Sequence, residues 1–111
     1  MTTDQLTFDL APLTVPTYEP EATIQERFEQ WEAENPWVMR VLERLVDDWL
    51  SAGHTRVGIK SCWEQIRWSY GVTTGDTFKA NNSFTSRAAR LLIERRPDLA
   101  PHIETRELRA S

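Results

Sequence analysis

Apolar residues recur at helical spacing between residues 23 and 35. The inward face of this segment would carry Ile24, Phe28 and Trp31. Thr23 followed by Glu26 is a capping-box pattern, in which each side chain accepts a hydrogen bond from the backbone N–H of the other residue. The sequence therefore predicts a first helix that begins at Thr23 and ends near Asn35.

A longer apolar stripe follows Pro36. Proline cannot continue the preceding helix, but Asn35 as N-cap with Pro36 at the first helical position is a typical helix start. The stripe consists of Val38, Leu42, Leu45, Val46 and Trp49. We predict a second helix over residues 36–52, closed by Gly53 as a left-handed cap.

The next segments are shorter and contain glycine. Residues 54–60 carry β-branched side chains at every second position and include Gly58, which predicts a strand. Ser61 with Glu64 is a second capping-box pattern and predicts a short helix that stops at Gly71. Its inward face would hold Cys62, Ile66 and Tyr70, with Trp63 beside them.

A polar loop, residues 71–82, leads to the last long amphipathic stretch. We predict a helix over residues 83–96, capped by Asn82 or Ser83 and ended by Pro97. Its buried face would be Phe84, Ala88, Leu91 and Leu92. Residues 102–108 form either a strand paired with residues 55–59 or a further short helical piece, and the strand is preferred.

The order of elements predicts a fold that is mainly α with a small β-sheet. Two helices, a strand, a short helix, a loop, a long helix and a strand match a winged helix-turn-helix-like single domain over residues 21–111. Residues 1–20, with three prolines, predict an extended N-terminal arm. Alternating Leu6, Phe8 and Leu10 would let this arm dock on its own domain, which is preferred, or on a partner's sheet edge.

Charge is distributed unevenly along the chain. The net charge is −4, but residues 1–50 hold eleven Asp/Glu against three Lys/Arg, whereas residues 51–111 hold ten Lys/Arg against six Asp/Glu. The first half therefore carries −8 and the second +4. Only the second half resembles a surface that binds a polyanion.

The start of the last helix combines the residue types that contact DNA. Arginine forms bidentate bonds to guanine or phosphate, asparagine pairs with adenine, and serine bonds phosphate. The candidate nucleic-acid-binding residues are Asn81, Asn82, Ser83, Ser86, Arg87 and Arg90, extended by Lys60, Arg67, Lys79 and Arg106. The alternative is an ordinary solvated helix face. A turn of twelve residues before this helix is longer than that of a simple helix-turn-helix.

Aromatic residues and reactive side chains add little to a catalytic interpretation. Trp68 and Trp37 lie off the main stripes and would stack on a base, anchor a protein partner or, by preference, pack under the arm, whereas Trp31, Trp49 and Trp63 are expected in the core. His54, His102 and Cys62 belong to no recognisable catalytic or metal-binding motif. We expect a non-enzymatic protein without cofactor or metal, without a signal peptide or membrane span, in the cytoplasm.

The stretches GIKSCWEQIRW and FKANNSFTSRAARLLIERRPDLAPHIETREL resemble small uncharacterised proteins of bacteriophages and prophages. The resemblance covers roughly residues 25–108 and depends on Asn81, Asn82, Ser86, Arg87, Arg90, Pro97 and Arg106. It implies a bacterial or phage-infected cell and a role in regulation or host takeover. Two functions follow: a regulator that presents helix 83–96 to double-stranded DNA, or a non-enzymatic protein-interaction module that uses the acidic N-terminal half. The oligomeric state stays open.

Overall fold

The computed structural model describes residues 10–104, and this part of the chain is helical. The elements are α1 (Ile24–Glu34), α2 (Pro36–Ser51), α3 (Ile59–Thr74), α4 (Phe84–Arg95) and a 3-10 helix (Pro97–His102). No sheet forms within residues 10–104, where a parallel bridge between Val57 and Ile103 stands isolated. The predicted small β-sheet, and with it the winged-helix fold, is therefore wrong.

The first two helices form where the sequence predicts them, and all their predicted end signals except the Asn35 cap are present. Thr23 and Glu26 form the capping box, with hydrogen bonds of 3.0 and 2.9 Å. Pro36 occupies the first turn of α2, and Gly53 follows that helix with a φ of 109°, in the left-handed region. The side chain of Asn35 makes no cap bond, however, because it binds the N-terminal segment instead.

The segment predicted as the first strand is short connecting chain followed by the start of α3. Helix α3 begins at Ile59, so the predicted capping box of Ser61 and Glu64 does not form. Ile59 is buried together with Cys62, Trp63, Ile66 and Tyr70. This spacing is that of a helix, and burial of these five side chains outweighs the alternation of a few β-branched residues. The inward face predicted for α3 is confirmed.

Helix α3 also continues past the residue predicted to stop it. Gly71 lies inside the helix, which ends at Thr74, and Gly75 closes it with a φ of 74°. The Thr74 hydroxyl donates to the Tyr70 carbonyl at 2.6 Å and accepts from the Asp76 N–H at 3.0 Å. The left-handed conformation that favours glycine is therefore needed at Gly75 and not at Gly71.

The last helix has nearly its predicted bounds, and Pro97 follows its end. Phe84, Ala88 and Leu92 are buried as predicted, Leu91 is half-buried, and Ala89 is buried as well. The predicted strand over residues 102–108 is wrong for its described part, where His102 ends the 3-10 helix and Ile103 forms the isolated bridge. Its remaining residues lie outside the described part of the chain.

An aromatic cluster joins α1, α2 and α3 to the loop before α4. Phe78, from the loop between α3 and α4, lies 5.7–6.3 Å, ring centre to ring centre, from the four rings of Trp31, Trp37, Trp63 and Tyr70. Trp31 and Trp63 are core residues as predicted, and Trp37 is buried in a stack on Tyr70. Trp49 is not, since it is 45% exposed and stacks on His54 at 3.6 Å.

The described part of the N-terminal arm, residues 10–20, lies against the helices of its own chain. The Asn35 carboxamide accepts from the Thr14 N–H and donates to the Thr14 carbonyl, both at 2.7 Å, and the Tyr70 hydroxyl accepts from the Leu13 N–H at 2.8 Å. Leu6 and Phe8, part of the predicted alternation, lie outside the described residues. Among residues 10–104, no helix combines the length and apolar character needed to span a bilayer.

Candidate nucleic-acid interface

Phe78 anchors the loop before α4 to the core, because its side chain is buried in the aromatic cluster. The Trp31 indole N–H donates to the Lys79 carbonyl at 3.2 Å, and this bond holds the backbone of Lys79, the residue after Phe78. The Asn81 side chain then accepts from the Ser83 N–H at 2.8 Å, so it supports the turn that starts α4. Lys79, Asn81, Asn82 and Ser83 are all exposed at their side chains.

The predicted polar face of α4 exists, but it is narrower than the sequence indicates. Arg90 is exposed, whereas Ser86 and Arg87 are half-buried. Ser86 and Arg87 both donate to the Ser83 carbonyl, at 3.4 and 3.3 Å. The Arg87 Nε is buried without a hydrogen-bond partner in the described chain, so this guanidinium is only partly satisfied within residues 10–104.

Ion pairing separates the basic residues into two groups. Within residues 10–104, carboxylates lie within 4 Å of five arginines, which are Arg44, Arg56, Arg67, Arg95 and Arg96. Arg96 is the most extensively paired, with Glu43, Asp47 and Asp98 at 2.7–3.1 Å, and these hydrogen bonds raise its pKa. Arg95 and Arg96 thus pair with carboxylates of other segments.

The second group contains the cations of the candidate site together with Arg27 and Arg40. Over the same described residues, no carboxylate pairs with Lys60, Lys79, Arg87 or Arg90. Lys79, Arg87 and Arg90 occupy the loop and the first two turns of α4, so the folded chain leaves a local excess of positive charge there. Such an excess attracts a polyanion even when the net charge of the protein is negative.

The outlying members of the predicted site have different positions. Arg67 serves the fold, because it pairs with Glu64 at 3.3 Å and donates to the Phe78 carbonyl at 3.3 Å. Its guanidinium also lies 5.8 Å from the centre of the Phe78 ring. Lys60 is exposed in the first turn of α3, two helical turns from Arg67. Arg106 lies outside the described residues.

The structure also exposes two features beyond the predicted site. Trp68 is 65% exposed and Val72 is 58% exposed, one helical turn apart on the outer face of α3. The preferred prediction, that Trp68 packs under the arm, is wrong for the described arm. The sequence indicated this exposed face, because Trp68 and Val72 are four residues apart and lie on the side of the helix opposite Cys62 and Ile66.

The second feature is an acidic cleft of about 380 Å³ where the N-terminal segment meets α1. It is lined by Glu19, Glu21, Ala22, Glu26 and Gln30. The Arg27 side chain forms no ion pair with these carboxylates and donates instead to the carbonyls of Ala22, Glu19 and Pro20 at 3.1–3.4 Å. The negative half of the chain therefore keeps unpaired carboxylates on its surface.

Cys62, His54 and His102, the reactive side chains considered in the sequence, are each held by contacts within the fold. Burial raises the pKa of the Cys62 thiol to about 11, which leaves it protonated near neutral pH. His54 stacks on Trp49, and His102 Nδ1 lies 2.9 Å from the Thr55 carbonyl.

No family model, curated protein or solved structure compared with the chain matches it.

Proposed function

We propose that this protein binds DNA through the loop Lys79–Ser83 and the first two turns of α4. The observation that carries the proposal is the pairing pattern: the basic residues here have no carboxylate partner among residues 10–104, whereas those at the end of α4 are paired. A carboxylate next to an arginine offsets part of its attraction for phosphate. An unpaired arginine releases counterions from DNA when it binds, which favours association.

The side chains beside these cations suit the same ligand. Asn82 and Arg90 are exposed, and Ser86 is half-buried with its hydroxyl bonded to the Ser83 carbonyl. Asparagine and arginine read base edges, and hydroxyl groups bond phosphates. Double-stranded DNA is the partner that the sequence predicts. The proposed setting is the cytoplasm of a bacterial or phage-infected cell, with a regulatory role, and no catalytic step is involved.

Fluorescence anisotropy of a labelled duplex tests the proposal. The folded protein should bind at low salt, and Arg87→Gln and Arg90→Gln should each weaken binding by about 1–3 kcal/mol if the side chain reaches a base edge. The matched control is Arg44→Gln, which removes the same charge from an exposed pair on α2. This control should leave the affinity nearly unchanged. A folded protein that does not bind DNA at low salt would exclude the proposal.

A second candidate is an interaction module that presents its acidic side to a basic protein partner. The cleft lined by Glu19, Glu21 and Glu26 favours it, because these carboxylates are not in ion pairs within the described chain. A basic peptide such as oligolysine should then bind the folded protein, and the triple change Glu19→Gln, Glu21→Gln, Glu26→Gln should abolish binding. If the peptide binds equally well to both proteins, the acidic cleft is not its site.

A further inference from the structure

Arg87 and Arg90 lie on the same outer stripe of α4, but the fold holds them differently. Ser83, Arg87, Arg90 and Glu94 follow one another at spacings of four, three and four residues, so they share one face of the helix. Arg87 is half-buried, whereas Arg90 and Glu94 are exposed. The two arginines are therefore not equivalent members of the proposed DNA site.

The guanidinium of Arg87 is held close to the helix. Its Nη1 donates to the Ser83 carbonyl, one turn back, at 3.3 Å, and its Nε is buried without a partner among residues 10–104. This folded-back conformation keeps the charge at the surface of the first turn of α4. A guanidinium in this position can bind a phosphate that comes against the helix, but it does not extend away from the helix toward the floor of a groove.

Arg90 has its whole side chain available. Within the described part of the chain, no carboxylate pairs with it and no hydrogen bond involves its guanidinium. It follows Arg87 by three residues, which is about 4.5 Å along the axis of a regular helix. The two arginines therefore meet different points of a ligand, and Arg90 is the one that can extend into a groove.

The neighbours one turn away also distinguish the two positions. Those of Arg87, Ser83 and Leu91, are uncharged, whereas Arg90 is followed by the carboxylate of Glu94, which forms no ion pair among residues 10–104. A carboxylate repels phosphate, so the DNA backbone is a less favourable partner for Arg90 than for Arg87. Base edges carry no full charge, and cytosine even offers an amino group that a carboxylate accepts.

We propose that Arg90 is the specificity-determining residue of the DNA site and binds a guanine in the major groove, while Arg87 positions the duplex by binding a phosphate. The inference rests on the proposed DNA-binding function and adds a sequence preference to it. Guanine presents N7 and O6 at its major-groove edge, where one guanidinium can make two hydrogen bonds. Phosphate contacts fix the register of a protein on the duplex without carrying sequence information.

Selection from a randomised duplex library with the full chain, followed by fluorescence anisotropy, tests this division of roles. The selected sequence should contain a guanine whose replacement, as a G·C to A·T change, weakens wild-type binding by about 5- to 150-fold. Arg90→Gln should bind the two duplexes with equal affinity. Arg87→Gln should bind both more weakly and keep the difference between them. The matched control, Arg44→Gln, should keep both the affinity and the difference.

The preference, and not the affinity, decides the inference, because both substitutions at the site remove a positive charge. If Arg90→Gln still distinguishes the two duplexes, or if Arg87→Gln loses the distinction as well, the assigned roles are wrong. If wild type binds duplex DNA but selects no sequence with a required guanine, the inference is overturned while the proposed DNA site stands. If the folded protein binds no DNA at low salt, both proposals are excluded.

Discussion

Asn35 joins three parts of the molecule through one buried carboxamide. Besides its two bonds to Thr14, it donates to the Trp31 carbonyl at 2.9 Å, and its side chain is fully buried. The group thus ties the N-terminal segment to the junction of α1 and α2. Sequence patterns predicted a helix cap for this residue, because local rules do not see a partner 21 positions away.

Replacing Asn35 with alanine should lower the free energy of unfolding by about 1–3 kcal/mol. The change leaves the Thr14 N–H and carbonyl without their partner and removes a buried side chain from a packed junction. Denaturant unfolding followed by circular dichroism measures the effect. Asn82→Ala, at an exposed position, is the control and should stay within about 0.5 kcal/mol of wild type. Equal stability of Asn35→Ala and wild type would contradict this role.

Acid sensitivity should arise partly from the pair of Arg96 and Asp98. Hydrogen bonds from Arg96 lower the pKa of the Asp98 carboxyl from its usual value of 3.8. A carboxyl whose pKa is lower in the folded state stabilises the fold above its unfolded pKa and loses that contribution as the pH falls through the folded value. Thermal melting of wild type and Asp98→Asn should therefore converge as the pH falls below about 4. A difference between their melting temperatures that stays constant down to a pH of about 2, well below the usual aspartate pKa, would contradict this assignment.

Three of the four helices could be predicted with nearly their observed bounds because their signals are local. The capping box at Thr23, the proline at the start of α2 and the proline after α4 each act within a few residues. The strand prediction failed because residues 54–60 are too few for the alternation to be distinguished from the start of a helix. Pairing of distant segments decides such cases, and here it amounts to one bridge between Val57 and Ile103.

Gly71, inside α3, and Gly75, which caps its end, should respond in opposite ways to replacement by alanine. Gly71 is inside the helix, and an added Cβ would meet the Asp76 carbonyl at 3.7 Å, an ordinary contact. Gly71→Ala should therefore raise the free energy of unfolding by about 0.5–1 kcal/mol. Gly75 has a φ of 74°, so Gly75→Ala should lower it by about 1–2 kcal/mol. Denaturant unfolding checks both, and a helix that ended at Gly71 would give destabilisation by Gly71→Ala instead.

The placement of α4 depends on the segment before it, which the sequence predicted only to be a polar loop. Phe78 sits in the middle of that loop and enters the aromatic cluster, which brings Lys79 and Asn81 to fixed positions at the start of α4. The polar face of α4 could be derived from its periodicity. Which cations remain unpaired could not, because the partners of Arg95 and Arg96 come from α1, α2 and the 3-10 segment.

At the scale of the whole molecule, folding sorts charges rather than neutralising them evenly. The carboxylates of α1 and α2 that lie near the end of α4 pair with Arg95 and Arg96. The charged groups without an ion pair within residues 10–104 include the acids of the N-terminal cleft and the cations at the start of α4, which lie on different segments. The overall charge of −4 therefore conceals a local excess of positive charge at the start of α4.

The salt dependence of duplex affinity tests this account most directly. The logarithm of the binding constant should fall linearly with the logarithm of salt concentration, and each lost phosphate contact should reduce the slope by about one. We predict that smaller slope for Arg87→Gln and Arg90→Gln, and the wild-type slope for Arg44→Gln. Slopes that are equal for all four proteins, or no binding by folded wild type at low salt, would contradict a DNA site at the start of α4.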